Sequence, residues 1–443
     1  MKRVILLLCG IFMILSACRN KQNLNLTERD VAKVIHQFTA VMVHDVTNPP
    51  LAARFYSYSC LSGYEVLSQN KTGLKPMAGV LNQYPLIKAP LQITDYNTDV
   101  SAVLAMYKTA ETLQPSGYLL KNDEKRFIDS CKDLGLSDEA ARRSGEYAGY
   151  ISKAILAYAK ADKYNRISNY KRYTPANTDG SWDPTPPSYM APVEPYFNTI
   201  RPLTLDSAGQ FFGTLPVPFS TNKNSVFYKL LLDNYHKGAS DLSAEEKNIA
   251  NFWDCNPFAV QTTGHLMVGL KKISPGAHWL GITSVACNKQ KTGFAKALQV
   301  HTLVSIGLMD GFISCWDNKF KTNRVRPETA VRKYIDAGWK PFLQTPPFPE
   351  YLSGHSVVSA TSAVILTHFL GDNFHYTDNV ESSYGIPPRN YSSFKQAAKE
   401  AAISRFYGGI HFADAIEKGL VQGDSVGNWV VRRYEQAAKM KSN

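Results

Sequence analysis

Between residues 26 and 163 the apolar side chains recur at intervals of three and four, and the alternation of a half-buried strand is nearly absent. The stretch NLTERDVAKVIHQFTAVMVHDV begins with Thr27 and Asp30, a usable N-terminal cap, and then holds that spacing. Further amphipathic stretches cover about 51–70, 98–113 and 138–163. Residues 166–222 break the pattern: they are rich in Pro, Tyr and Asn and read as a long ordered loop that wraps the surface. The helical spacing resumes at Ser243, where Ser243 and Glu246 fit a capping box, and four or five longer helices follow. No internal repeat of fixed period is visible. The expected fold is all-α, a bundle of ten or more helices. Its expected parts are an N-terminal helical part (26–165), an irregular segment (166–242) and a C-terminal helical part (243–438) that carries the chemistry.

A chain of 443 residues, 44% hydrophobic and 19% charged, is long enough to bury a large core and is not of disordered composition. Its first 18 residues, MKRVILLLCGIFMILSAC, combine a basic start, an apolar stretch shorter than a spanning helix needs, and Leu15-Ser16-Ala17-Cys18, which resembles the lipobox of bacterial lipoproteins. That resemblance implies cleavage after residue 17, a short tether over 18–25, a lipid on Cys18, and an exported chain anchored to the envelope membrane. Loss of Lys2 and Arg3 with the signal lowers the formal charge from +12 to +10. The remaining basic residues are scattered, with no arginine-rich or aromatic-interleaved stripe, so nucleic acid is not an expected partner. The five cysteines left besides Cys9 and Cys18 are widely spaced; they match neither a metal knuckle nor a disulfide framework, and buried thiols are expected.

Three segments carry the chemistry. In PPFPEYLSGHS (346–356), three prolines fix an extended approach, Ser353-Gly354 turns the chain, and His355 opens an apolar helical run. A Ser-Gly turn at a helix start offers unpaired N–H donors and the positive end of the helix dipole, a fitting seat for an anion. Upstream lie Lys319 and, after six residues, Arg326-Pro327; downstream lie Ser404-Arg405 and, after five residues, His411. Two arginines, a lysine, a Ser-Gly turn and two histidines suit a tetrahedral oxyanion. One histidine can bond the central atom and the other can move a proton.

In order and spacing these segments resemble the signature of the type 2 phosphatidic acid phosphatase and vanadium-dependent haloperoxidase superfamily. Asp310, Cys315-Trp316, Phe348-Pro349, Tyr351 and RFYGGIHF resemble the haloperoxidase branch, including bacterial lipoprotein-like members and iodoperoxidases. The resemblance implies vanadate held by His411, with Lys319, Arg326, Arg405, the Ser353 hydroxyl and the Gly354 N–H on its oxygens. It implies His355 as acid and base for peroxide protons, and Trp316 and Phe348 on the halide side. The partners would be hydrogen peroxide and a halide, iodide or bromide first. Phosphate could occupy the same cradle, so the alternative is an acid phosphatase with His411 as nucleophile. Two positions depart from the family pattern. Leu352 replaces a proline before SGH, which should loosen the turn. The acid expected four residues after the last histidine is Ala415, with Asp414 one place early; Asp414 is therefore not expected to support His411, which argues against the phosphatase.

Overall fold

Thr27 starts the first helix as its sequence requires: its backbone N–H donates to the Asp30 carboxylate at 2.7 Å, closing the capping box. The computed structural model describes residues 24–437 apart from 240 and 264–265; the signal segment and Cys18 lie outside these. Thirteen α-helices follow among the described residues: α1 (Glu28–His44), α2 (Pro49–Asn70), α3 (Thr98–Leu113), α4 (Lys121–Asp133), α5 (Asp138–Lys160), α6 (Val226–Lys237), α7 (Ala244–Phe252), α8 (Pro275–Gln290), α9 (Phe294–Thr322), α10 (Pro327–Tyr334), α11 (Gly354–Leu370), α12 (Phe394–Tyr407) and α13 (Ala413–Gln436). Two short antiparallel ribbons complete the fold: β1 (Val260–Thr263) with β2 (Leu266–Gly269), and β3 (Tyr376–Asp378) with β4 (Arg389–Tyr391). The all-α expectation holds, as does the Ser243–Glu246 capping box.

Two helices escape the periodicity reading. In α4 only Phe127 and Cys131 are buried, so a mostly charged sequence shows one narrow apolar stripe. Helix α6 lies inside the segment expected to be irregular (166–242); Ser225 caps it, and Phe227, Leu231 and Asn234 form its buried face. The rest of that segment does more than wrap the surface. Trp182, Phe197, Ile200, Leu203 and Leu205 are buried, and the carboxylate of Asp310 on α9 accepts from the Leu203 and Thr204 backbones at 2.7 Å each. One buried acid thus ties the irregular segment to the central helix.

Helix α9 is the axis of the bundle and packs against α1, α2, α8, α11 and α13. It is long and apolar enough to cross a membrane, yet its whole apolar stretch is buried inside the protein. Helices α11 and α13 share an extensive contact, and α13 presents Gly419, Gly423 and Gly427 to it at four-residue spacing. A Cβ on Gly423 would fall 2.2 Å from the Val357 carbonyl oxygen, and the Thr361 hydroxyl donates to the Gly423 carbonyl at 3.0 Å. This contact fixes α11, whose first turn carries Gly354 and His355.

Gly423→Ala is therefore expected to lower stability by about 1–3 kcal/mol through overpacking. Gly149→Ala on α5, where nothing lies within 4 Å of the added carbon, should instead stabilise by about 0.5–1 kcal/mol. Urea unfolding of the two variants checks the contrast; equal midpoints would remove the packing argument.

Candidate functional site

The three segments converge on one cavity. Helix α9 ends at Asn323, which adopts a left-handed φ of 48°, and the chain then runs extended to Arg326 and Pro327 at the start of α10. The proline-rich approach ends at Ser353, whose hydroxyl accepts the Ser356 N–H at 3.3 Å and so caps α11. Helix α12 supplies Arg405 from its last turn, and the turn after it, with Gly409 at φ 72°, delivers His411. Asn234 of α6 holds that turn by donating to the His411 carbonyl at 2.8 Å.

Trp316, Phe348, Gly354, His355, Arg405 and His411 face the cavity. The Trp316 and Phe348 rings pack with centroids 5.0 Å apart, and the Trp316 indole N–H donates to the Val193 carbonyl at 3.1 Å. Arg326 stands immediately behind His411. Its Nη1 donates to His411 Nε2 at 3.1 Å and to the Ile410 carbonyl at 2.8 Å, its Nε donates to the Phe348 carbonyl at 2.8 Å, and its Nη2 is buried with no partner. Arg405 donates from Nη2 to the Trp253 carbonyl at 2.7 Å and from Nε to the Ser404 hydroxyl at 3.0 Å.

The sequence reading missed the residue that orients His411. Glu350 is fully buried; its Oε1 accepts His411 Nδ1–H at 3.0 Å and the Phe412 N–H at 2.9 Å, and its Oε2 pairs with Arg324 at 3.3 Å. With Nδ1 carrying the proton, Nε2 keeps its lone pair and accepts from Arg326. Burial first, and then the Arg326, Lys319, Arg405 and Arg324 charges, hold the His411 pKa well below its usual value, so the ring is neutral. Asp414 does not reach His411. It pairs with Arg324 at 2.8 Å, as its place on the helix implied, and the carboxylate on the imidazole comes from Glu350 instead. The displaced acid therefore does not leave His411 unsupported, and the argument built on it against a phosphatase falls. A signal was present in the sequence: an acid enclosed by Pro347, Pro349, Tyr351 and Leu352, with Arg324 two residues before Arg326.

One expected anion ligand, Lys319, is committed elsewhere. Lys319 donates to the carbonyls of Pro349 at 2.9 Å and Glu350 at 3.0 Å, and to that of Leu352, so its ammonium organises the 349–352 backbone from behind the cavity wall. This also corrects the expectation for Leu352: the residue is buried, its carbonyl is held by Lys319, and the turn is pinned rather than loosened. The Ser353 oxygen serves as the cap, leaving its O–H free to donate. His355 Nε2 is buried without a partner. Burial, Arg405, His411 and His278 hold its pKa well below the usual value, against a hydrogen bond to the Trp253 backbone. A Cβ on Gly354 would meet only Trp316, at 3.8 Å, so the glycine leaves its side of the cradle open.

The cavity thus holds two neutral imidazoles, the Arg405 guanidinium, an orphaned His355 nitrogen and a helix N-terminus, with an orphaned Arg326 N–H just behind His411. This donor set fits a tetrahedral oxyanion such as vanadate or phosphate, with His411 Nε2 as the atom able to bond its centre. No curated protein matches the chain. Residues 299–440 match the model of the VCPO second helical-bundle domain. A solved bacterial vanadium-dependent iodoperoxidase is 39% identical, with a TM-score of 0.87 over 92% of this chain and 97% of that one. Apo and holo structures of a bacterial vanadium-dependent chloroperoxidase are each 14% identical, with TM-scores of 0.65 and 0.64; they cover 88% and 89% of this chain and 96% and 94% of theirs, and share its fold.

Burial, with Arg326, pushes Lys319 down to about 7, against the pull of Cys315 and Glu350. An anion in the cavity favours the ammonium, so binding takes up a proton above that pH and weakens as pH rises. Sulfate, whose own charge is constant there, should bind progressively less tightly from pH 6 to pH 9 by calorimetry. Lys319→Met should flatten the slope; an unchanged slope in that variant would place the titrating group elsewhere.

Proposed function

The chain belongs to the vanadium-dependent haloperoxidases, and on that premise we propose that it oxidises iodide in preference to bromide or chloride, using hydrogen peroxide at a vanadate held by His411. The observation that carries the reading is the neutral His411 ring, its Nδ1–H fixed by Glu350 and its Nε2 lone pair turned toward Arg326 and the cavity. Preference for iodide rests on the likeness to the iodoperoxidase and on the ease with which iodide gives up electrons.

Vanadate bound there supplies a Lewis-acid centre that polarises peroxide toward attack by halide. The rest is the work of the chain. His411 Nε2 is the ligand, and Glu350 keeps it basic and aligned. Arg326, through its free Nη2, and Arg405 neutralise the oxygens, while the Gly354 N–H and the start of α11 complete the cradle. Lys319 adds charge from behind and holds the backbone that bears Glu350; the Ser353 hydroxyl donates from the rim. His355, neutral and with Nε2 unpaired, takes a proton from the incoming peroxide and returns it to the leaving oxygen. Trp316 and Phe348 exclude water on the side from which a large, soft anion would approach.

His411→Ala should abolish vanadate binding and halide oxidation together, and Glu350→Gln should weaken vanadate binding about 10- to 100-fold. His355→Ala should still bind vanadate but turn over about 100- to 10,000-fold more slowly. Protein stripped of anions and reloaded with orthovanadate would be assayed with peroxide and each halide, beside a phosphate ester. Robust ester hydrolysis by the unloaded protein, with no halide oxidation after loading, would instead favour the phosphatase. The Glu350–His411 pair keeps that second reading chemically competent.

We further propose that the enzyme is exported and tethered through a lipid on Cys18, on the strength of MKRVILLLCGIFMILSAC. Cys18→Ala should move the protein from the membrane to the soluble fraction; retention on the membrane would remove the anchor assignment.

A further inference from the structure

Some of the buried thiols are not inert packing. Cys255, in the segment after α7, meets His278 from the first turn of α8 and Glu381 from the loop after β3. The Cys255 sulfur lies 3.3 Å from His278 Nδ1 and 3.6 Å from Glu381 Oε1, and His278 Nδ1 lies 3.5 Å from the same carboxylate oxygen. Metal–ligand lengths of about 2.3 Å to sulfur and about 2.0–2.2 Å to nitrogen or oxygen, at tetrahedral angles, give edges of about 3.4–3.6 Å between such atoms. The three donor atoms therefore already form one face of a tetrahedron of zinc size.

The ring of His278 is oriented for the same purpose. Its Nε2 sits 2.9 Å from Asp378 Oδ2, and Asp378 Oδ1 in turn accepts the Val380 N–H at 3.1 Å. A carboxylate hydrogen-bonded to one imidazole nitrogen turns the other toward the ligand position, the arrangement that metal-bound histidines adopt once the metal has displaced the proton there. Trp253 stacks on the imidazole at 4.7 Å and 22°, which fixes the plane of the ring. Charge argues in the same direction. Asp378 and Glu381 are both buried and share one imidazole, with the Lys272 ammonium, itself paired to Asp254, acting on Glu381 as well; a metal ion would complete the counter-charge. Cys255 borders the anion cavity, but no proton transfer or anion contact described above uses these four residues.

We infer that Cys255, His278 and Glu381 bind a divalent zinc-class ion, with Asp378 as the orienting carboxylate and one coordination position left to solvent. Binding exchanges the thiol proton and the proton on Nδ1 for the metal: the sulfur becomes a thiolate ligand, both protons go to solvent, and no electron is transferred. The ion would join three segments far apart in sequence: the strand of chain after α7, the start of α8 and the β3 loop.

The test is metal content and spectroscopy of the full-length protein, independent of halide turnover. Wild type incubated with zinc and desalted should retain about one zinc per chain, and Cys255→Ser and Glu381→Gln should retain almost none. Loaded with cobalt(II), wild type should show a thiolate-to-cobalt charge-transfer band in the near ultraviolet together with visible bands of a four- or five-coordinate ion. Cys255→Ser should lack the charge-transfer band while keeping the wild-type circular dichroism. A chelator should lower the melting temperature of loaded wild type and leave that of Cys255→Ser unchanged. Wild type that retains no zinc or cobalt, or a bound cobalt with no sulfur band, would overturn the assignment.

Discussion

The structure depends on enclosing three cations, Lys319, Arg324 and Arg326, beside the fully buried carboxylate of Glu350, with a fourth buried cation, Arg405, across the cavity. Buried charges of one sign cost several kcal/mol each unless they are paired or hydrogen-bonded. The chain offsets most of this with backbone carbonyls: three on Lys319, two on Arg326 and two on Arg405. Those carbonyls belong to the C-terminal end of α7 (250, 253) and to irregular segments (348–352, 410), which explains why the fold interrupts its helices here. What the carbonyls do not offset is left for an anion, and the orphaned Arg326 N–H marks the place.

Glu350 has a second role that follows from the first. A carboxylate among three cations could simply pair with the strongest of them, but Arg324 takes only Oε2 and is shared with Asp414. Oε1 is thereby free for His411 and Phe412. Asp414 thus acts on the imidazole indirectly, by drawing Arg324 away from Glu350. The network turns a surplus of positive charge into a neutral ring with a defined proton, as both vanadate ligation and nucleophilic attack on phosphorus require. Chemistry at this site is accordingly set less by His411 than by what enters beside it, and there the walls are Trp316 and Phe348.

Much of this was legible in the sequence because the relevant signals were local. Thr27, Ser243 and the spacing of apolar residues mark helices, and Lys319, Arg326, Ser353-Gly354-His355, Arg405 and His411 fall at fixed intervals within their own segments. What escaped was non-local. Helix α6 depends on burial against α10 and α12, and Glu350 gains its meaning only when the 346–353 segment is laid against the turn bearing His411. Lys319 shows the converse: its position was readable, but the direction of its ammonium was fixed by carbonyls about 30 residues away, which spacing does not encode. The Cys255, His278 and Glu381 cluster draws single residues from three separate elements, so no motif of fixed spacing could announce it.

The two clusters are joined through Trp253. Its ring stacks on His278, while its carbonyl accepts from Arg405 and bonds His355. Any movement of the segment after α7 would shift that carbonyl, and with it the direction of one anion-binding guanidinium and the tilt of the proton-carrying histidine. Positioning to within about half an ångström is what such groups require to act on a bound oxyanion. A loop of backbone carbonyls and aromatic rings is poorly suited to hold that tolerance alone. The link from Cys255 and His278 through Trp253 to Arg405 gives the loop a second point of attachment in the core, on the side of the cavity away from Glu350.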